Sequence, residues 1–160
     1  MKITTSNVIS LMVVLCYATL LTAQNKIGIF DGNIDIGNCN IKGATEYSDE
    51  GQSYTLSGSG TNMWFGSDEF QYAWTAIQGD FILRAEAAFV GTGIDPHRKV
   101  GWIIKNSLDA NSKHVNASVH GDGLTSLQYR KAVGADTEEV VSPNTSPDVI
   151  QLERRGDTYI

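Results

Sequence analysis

Residues 114–131 read HVNASVHGDGLTSLQYRK, and their alternation of polar and apolar side chains decides the fold class. Three apolar residues alternate with polar ones before the glycines and two do so after them: Val115, Ala117, Val119, Leu127 and Tyr129. A slip of one residue would move every side chain to the other face, so the turn has to preserve the alternation. A three-residue loop over 121–123 does this, because it pairs residue 120 with 124 and residue 114 with 130. We therefore predict a β-hairpin with one apolar face and one polar face.

Two other segments show the same alternation and are predicted to be strands near this hairpin. In residues 80–90, DFILRAEAAFV, the apolar side chains face one way and the charged ones the other. Residues 98–106, RKVGWIIKN, place Val100, Trp102 and Ile104 on one face. If these strands share a sheet, its polar face carries Arg84, Glu86, His114, Asn116, Gln128 and Arg130, with His120 at a strand end. Such a face is either an ordinary solvated surface or a groove that binds a hydroxyl-rich ligand.

Residues 61–81, TNMWFGSDEFQYAWTAIQGDF, are rich in aromatic rings. Phe70, Tyr72 and Trp74 fall on one face of a strand at a spacing of two, which favours a place in the hydrophobic core. Trp64 follows the turn GSGTN and is expected at a rim, where its ring could stack on a ligand.

The rest of the chain also repeats with a period of two, and no segment has a helical period. Further strands are predicted at QSYTLSG (52–58), EFQYAW (69–74), TSLQYRKA (125–132) and DVIQLERR (148–155). Glycine-rich turns separate them. Short strands at this spacing predict an all-β antiparallel sandwich or barrel.

The first 23 residues have the order of a secretory signal peptide: a lysine, an apolar run over 8–21, and a small residue at Ala23. Residues 24–160 then form one domain without a membrane span, and export is expected. That domain holds a single cysteine, Cys39, which excludes an internal disulfide. The formal net charge of −6 and the scattered basic residues argue against nucleic-acid binding.

Four segments together resemble the concanavalin A-like (laminin G-like) jelly-roll domain of exported bacterial proteins: GSGTNMWFGSDEFQYAWTAIQGDF, HRKVGWIIKNSLDANSKHV, VHGDGLTSLQYR and PDVIQLERRGDTYI. The version that precedes a TolB-like β-propeller is the nearer likeness, and the jelly-roll domain of bacterial β-xylosidases is a looser one. The resemblance covers roughly residues 30–160. It implies a two-sheet antiparallel jelly-roll sandwich, often a carbohydrate-binding or accessory module, with a β-propeller as a possible further domain. A strand that begins two residues before Ile160 further implies that the last strands are missing.

Catalytic and metal-binding motifs are weak. Asp68 and Glu69 are adjacent, so on a strand they point to opposite faces, unlike the acid-x-acid-x-x-acid motif of jelly-roll glucanases. Asp31 and Asp35 lie in DGNIDIGN, which is either a turn before the first strand or a structural calcium site. His114 and His120 are too far apart on one strand to share a zinc ion.

Three functions remain open on the sequence. We favour an exported, non-catalytic binding module for carbohydrate or a cell-envelope partner, with Trp64 and the polar face as its site. A glycan-processing enzyme would use the same face, and a structural domain would pack on a downstream β-propeller. No cofactor is expected.

Overall fold

The fold of residues 26–160, the part that the computed structural model describes, is all-β and antiparallel. Within that range no residue is helical, as the sequence predicts. The strands are β1 (Gly32–Ile36), β2 (Ala44–Ser48), β3 (Ser53–Ser57), β4 (Phe70–Trp74), β5 (Phe81–Glu86), β6 (Lys99–Lys105), β7 (His114–His120), β8 (Thr125–Arg130), β9 (Glu138–Val141), β10 (Val149–Arg155) and β11 (Thr158–Tyr159). The predicted signal peptide, residues 1–23, lies outside the described residues. No described segment forms an apolar helix of the length that a bilayer crossing requires.

Strand pairing gives two sheets of three or more strands and two smaller pairs. The large sheet has the order β6-β7-β8-β9, and the small sheet has the order β11-β10-β5. Strand β10 lies against β7 and β6, so the two sheets face each other. The pairs β1-β4 and β2-β3 lie together at one side. This arrangement confirms the all-β sandwich, whereas the jelly-roll strand order stays a prediction from the resemblance.

Apolar side chains from both sheets fill the space between them. Val115 and Val119 on β7 are buried, as are Ile150 and Leu152 on β10. Strand β5 pairs with β10 and alternates half-buried and exposed positions, with Leu83 opposite Leu152. The alternation in the sequence therefore reflects the two faces of each strand, because the apolar face is removed from water against the other sheet.

The hairpin of residues 114–131 forms with the predicted register. His114 pairs with Arg130, Asn116 with Gln128, and Ser118 with Ser126. The backbone N–H of His120 donates to the carbonyl oxygen of Leu124 at 2.8 Å, which closes the three-residue loop. Gly123 has a φ of +93°, a conformation that glycine adopts without the steric cost of a side chain.

Other expectations differ from the structure. Strand β5 lies in the small sheet and not beside the hairpin, so Arg84 and Glu86 do not share a face with His114. The predicted strand over 80–90 ends at Glu86. The sequence predicts strands β2 and β9 only weakly, because most of their side chains are exposed and few are large and apolar.

The aromatic strand β4 is only half-buried on both faces. The sequence predicts that its rings lie in the core, but Phe70, Tyr72 and Trp74 are no more than half-buried by exposed area. Tyr72 and Trp74 instead line a shallow depression together with Lys105. The Tyr72 hydroxyl donates to the carbonyl oxygen of Ile103 at 3.1 Å, which ties β4 to strand β6.

Candidate functional site

The polar face of the large sheet carries rows of hydrogen-bonding side chains from β6, β7 and β8. Because paired residues of neighbouring strands share a face, the strand register fixes the rows. One end row joins Lys99 to His120, and the other joins Lys105, His114 and Arg130. The rows between them are Gly101, Ser118 and Ser126, and then Ile103, Asn116, Gln128 and Glu139. The two ends therefore carry the basic residues of these strands, and the centre carries amides and hydroxyls together with Ile103 and the Glu139 carboxylate.

This face is buried, which differs from the solvated surface that antiparallel sheets commonly present. The exposed fraction is 6% or less for seven of its polar residues: His114, Asn116, Ser118, His120, Ser126, Gln128 and Arg130. Burying so many polar groups is costly unless they find partners, so their burial requires a covering layer that supplies some of them.

The covering layer is the cover segment, residues 61–68. Asn62 Oδ1 accepts a hydrogen bond from Lys99 Nζ at 3.0 Å, at one end of the face. At the other end, Thr137 Oγ1 donates to the Met63 carbonyl oxygen at 3.0 Å, and the Thr137 N–H donates to the Trp64 carbonyl oxygen at 2.8 Å. The segment thus crosses the polar face from β6 to the loop before β9.

The cover segment ends at Asp68, a fully buried carboxylate. Asp68 Oδ2 contacts Lys105 Nζ and lies 3.5 Å from His114 Nδ1, while Asp68 Oδ1 lies 2.6 Å from Arg130 Nη2. Burial alone would raise the pKa of Asp68, but the contacts with His114, Arg130 and Lys105 outweigh it and bring the pKa to about 2. We name these four residues the Asp68 cluster. At neutral pH its carboxylate is ionised, so Asp68 cannot serve as a general acid.

Arg130 is the second anchor of the cover segment. Its guanidinium donates from Nε to the Ala135 carbonyl oxygen at 2.7 Å, from Nη1 to the Ser112 carbonyl oxygen at 3.2 Å, and from Nη2 to the Phe65 carbonyl oxygen. A guanidinium offers five donors in a fixed plane, so one side chain can hold three loops at once. Arg130 is therefore a structural anchor of the face, and its planar group is fully engaged.

The centre of the polar face holds polar atoms that have no hydrogen-bond partner among residues 26–160. They are Asn116 Nδ2 and Oδ1, Ser118 Oγ, Ser126 Oγ and Gln128 Oε1. Gln128 Nε2 does have partners, since it donates to Glu139 Oε1 at 2.9 Å and lies 3.4 Å from His120 Nε2. Buried polar groups in proteins are nearly always paired, so these atoms mark the place where a further hydrogen-bonding group would be stabilised.

Charges of both signs lie near the Lys99 end of the face. Burial lowers the pKa of Lys99, and nearby Asp95, Glu139 and Asp122 act in the opposite direction. Burial and then the Lys99 charge lower the pKa of His120, which favours the neutral imidazole.

Of the eight side chains predicted to bind a ligand, five lie on this one face: His114, Asn116, His120, Gln128 and Arg130. Trp64 lies in the cover segment above it and is half-buried. Arg84 and Glu86 lie on the exposed face of β5 in the other sheet, so the geometric expectation that placed them beside the hairpin is wrong.

Sequence reasoning missed the residues that close the face. The alternation along β6 places Lys99 and Lys105 on the polar side of the strand. Pairing β6 with β7 adds both lysines to the polar face. Asp68 could not be found in this way, because it lies outside the strands and contacts Arg130, 62 positions further along the chain.

The expected calcium ligands do not converge. Asp31 accepts a hydrogen bond from Thr75 Oγ1 at 2.7 Å and pairs with Lys26, whereas Asp35 accepts the N–H of Gly43 at 3.0–3.1 Å. Over residues 26–160, one group of His, Cys, Asp or Glu side chains could share an ion, and it comprises His97, His120 and Asp122.

Comparisons with family models, curated proteins and solved structures find no significant match to this chain.

Proposed function

We propose that this protein is an exported, non-catalytic binding module that takes a hydroxyl-rich ligand, such as a carbohydrate or a cell-envelope glycan, on the polar face of its large sheet. The unpartnered atoms of Asn116, Ser118, Ser126 and Gln128 carry this proposal. Primary amides and hydroxyls offer both donors and acceptors, and a sugar hydroxyl needs one of each. The Glu139 carboxylate at the edge of this row accepts from Gln128 Nε2 and could also accept from a ligand hydroxyl.

The cover segment lies between this face and solvent, so binding requires it to be displaced. Its contacts are uneven. The Asp68 end is held by buried ion pairs, whereas the Asn62 end is held only by hydrogen bonds, from Lys99, from the N–H of Glu69 and from Thr137 to Met63 and Trp64. We propose that the segment opens at the Asn62 end and that Trp64 and Phe65 then flank the ligand. The Phe65 ring is already 65% exposed, and an aromatic ring can stack on the apolar face of a sugar.

A glycan-processing enzyme receives less support from the geometry. A catalytic pair would need two carboxylates, such as Glu86 with Asp80 or Glu69, but Glu86 lies on the outer face of the small sheet. Asp80 accepts the N–H of Gly156, and Glu69 accepts the N–H and hydroxyl of Thr61. A pair that flanks one glycosidic bond must lie roughly 5–10 Å apart in a shared cleft, and none of these three faces the polar centre.

Glycan-array binding with four variants tests the proposal. Asn116→Ala and Gln128→Ala should each weaken binding of any retained glycan by about tenfold or more, the loss expected for one or two hydrogen bonds. Arg84→Ala and Glu86→Gln are matched controls on the other sheet and should leave binding unchanged. Circular dichroism and thermal unfolding of each variant verify that the fold is retained.

Two outcomes would refute the proposal. The polar face is not the site if the folded Asn116 and Gln128 variants bind as tightly as the native protein. A binding function is wrong if no glycan or envelope fraction is retained by the native protein.

A further inference from the structure

Three side chains with metal-binding atoms converge at the turn of the β7–β8 hairpin. His97 lies in the loop before β6, His120 ends β7, and Asp122 lies in the turn. One ligand atom from each residue lies within 4.8 Å of the other two. Two ligands bound to one tetrahedral zinc ion at about 2.0–2.1 Å are about 3.4 Å apart. Small side-chain rotations therefore bring the three atoms to bonding distance.

The backbone holds the loop and the turn together without any ion. The Asp122 N–H donates to the Pro96 carbonyl oxygen, and the Gly121 N–H donates to the Arg98 carbonyl oxygen, both at 2.9 Å. These two bonds flank His97 in the loop and fix its position relative to the turn. A metal site gains affinity when its ligands are positioned in advance, because less conformational entropy is lost on binding.

Asp122 and His120 each have an atom that could coordinate a metal ion. Asp122 Oδ1 accepts the Leu124 N–H at 3.0 Å, which orients the carboxylate and leaves Oδ2 at 3.9 Å from His97 Nδ1. His120 is 4% exposed, and its Nε2 faces the Gln128 amide. Its Nδ1 is buried and has no hydrogen-bond partner within the part of the chain that the structure describes. A buried nitrogen without a partner is costly, and a metal bond would satisfy it.

The surroundings permit entry and set the chemical class of the ion. The His97 and Asp122 side chains are 61% and 39% exposed, so an ion can reach the site from solvent. The Lys99 charge acts on His120 and opposes a bound cation, whereas the Glu139 carboxylate favours one. Two imidazole nitrogens and one carboxylate oxygen suit zinc and its first-row neighbours, whereas calcium and magnesium require oxygen ligands.

We propose that His97, His120 and Asp122 bind one divalent first-row transition metal ion, with Zn²⁺ as the probe. The three protein ligands leave a fourth position for water or another small ligand. The ion would link the loop before β6 to the hairpin turn at the edge of the polar face. This site does not depend on the proposed glycan function, because neither a sugar nor the cover segment supplies a ligand.

Isothermal titration of the chelator-treated, tag-free protein with Zn²⁺ tests the site. We expect one ion per chain. His97→Ala and Asp122→Asn should weaken binding by about 100-fold or more, since even the loss of an outer partner costs about 10–100-fold. Both variants should fold, because His97 is largely exposed and an asparagine at 122 keeps the acceptor for Leu124. Co²⁺ should give the intense visible absorption of a four-coordinate complex in the native protein and not in these variants.

Two controls separate this site from other zinc ligands. Asp109→Asn changes an exposed carboxylate in another loop, and Cys39→Ser removes the described thiol. Both should bind Zn²⁺ as the native protein does, and Asn116→Ala should too, even if it abolishes glycan binding. The site is disproved if millimolar Zn²⁺ gives no saturable binding, if His97→Ala and Asp122→Asn bind normally, or if Cys39→Ser removes the binding.

Discussion

Replacing Asp68 with asparagine should be among the most damaging conservative changes in this protein. The side chain keeps its size but loses the negative charge that faces Lys105 and Arg130, whose side chains are 1% and 0% exposed. Removing one partner of a buried ion pair leaves the other charge uncompensated and typically costs about 3–5 kcal/mol. We expect Asp68→Asn to lower the free energy of unfolding by that amount at pH 7, measured by urea denaturation.

The pH dependence of this effect follows from the depressed pKa of Asp68. Lowering the pKa from 3.8 to about 2 favours the ionised carboxylate in the folded state by about 2 kcal/mol. That contribution is fully present above pH 4 and is lost as the pH falls through 2, because the unfolded state binds the proton first. The stability difference between the native protein and Asp68→Asn should therefore shrink by about 2 kcal/mol between pH 5 and pH 2.

The matched control is Asp49→Asn, which makes the same chemical change at an exposed position. It should alter the free energy of unfolding by less than about 0.5 kcal/mol. The proposed role of Asp68 is refuted if the free energy of unfolding of Asp68→Asn stays within about 1 kcal/mol of that of the native protein at pH 7. It is also refuted if the difference between the two free energies does not change with pH.

Two further substitutions test the packing of the sheets. Leu152→Ala removes a fully buried side chain opposite Leu83 and should lower the free energy of unfolding in urea by about 2–5 kcal/mol. The control Val90→Ala, at a position 93% exposed, should lower it by less than about 0.5 kcal/mol. Equal effects of the two substitutions would contradict the described core. Gly101→Ala would place a Cβ 2.1 Å from the carbonyl oxygen of Ala117, so β6 would have to move away from β7. A loss of about 1–3 kcal/mol in thermal or urea unfolding is expected, and an unchanged stability would show that the two strands are not this close.

The sequence predicts strands well where one face is buried and the other is not. In the β7–β8 hairpin the alternation and the glycine turn allow one register only, and that register forms. The same logic predicts the alternation of β5 but not its sheet, because alternation fixes which way side chains point and says nothing about the neighbouring strand. Strand β9 escaped detection because its edge position leaves most of its side chains in water.

The burial of the polar face could not be predicted for a related reason. His114, Asn116 and Gln128 have the composition of a solvated surface, yet they are buried and the cover segment crosses the face that they form. That segment is irregular and has no periodic signal. One of its main attachments is the Asp68 carboxylate, which meets its partners far along the chain.

The Asp68 contacts also bear on the order of events during folding. Strands β6 to β9 form by local pairing of consecutive segments, which is entropically cheap. The cover segment precedes them in the chain, and its contacts with Arg130 and Thr137 span 62 and 74 positions. Closing loops of that length costs more entropy, so we expect the polar face to form before its cover docks. Asp68 should accordingly act after the main kinetic barrier, so that Asp68→Asn speeds unfolding and leaves the folding rate nearly unchanged.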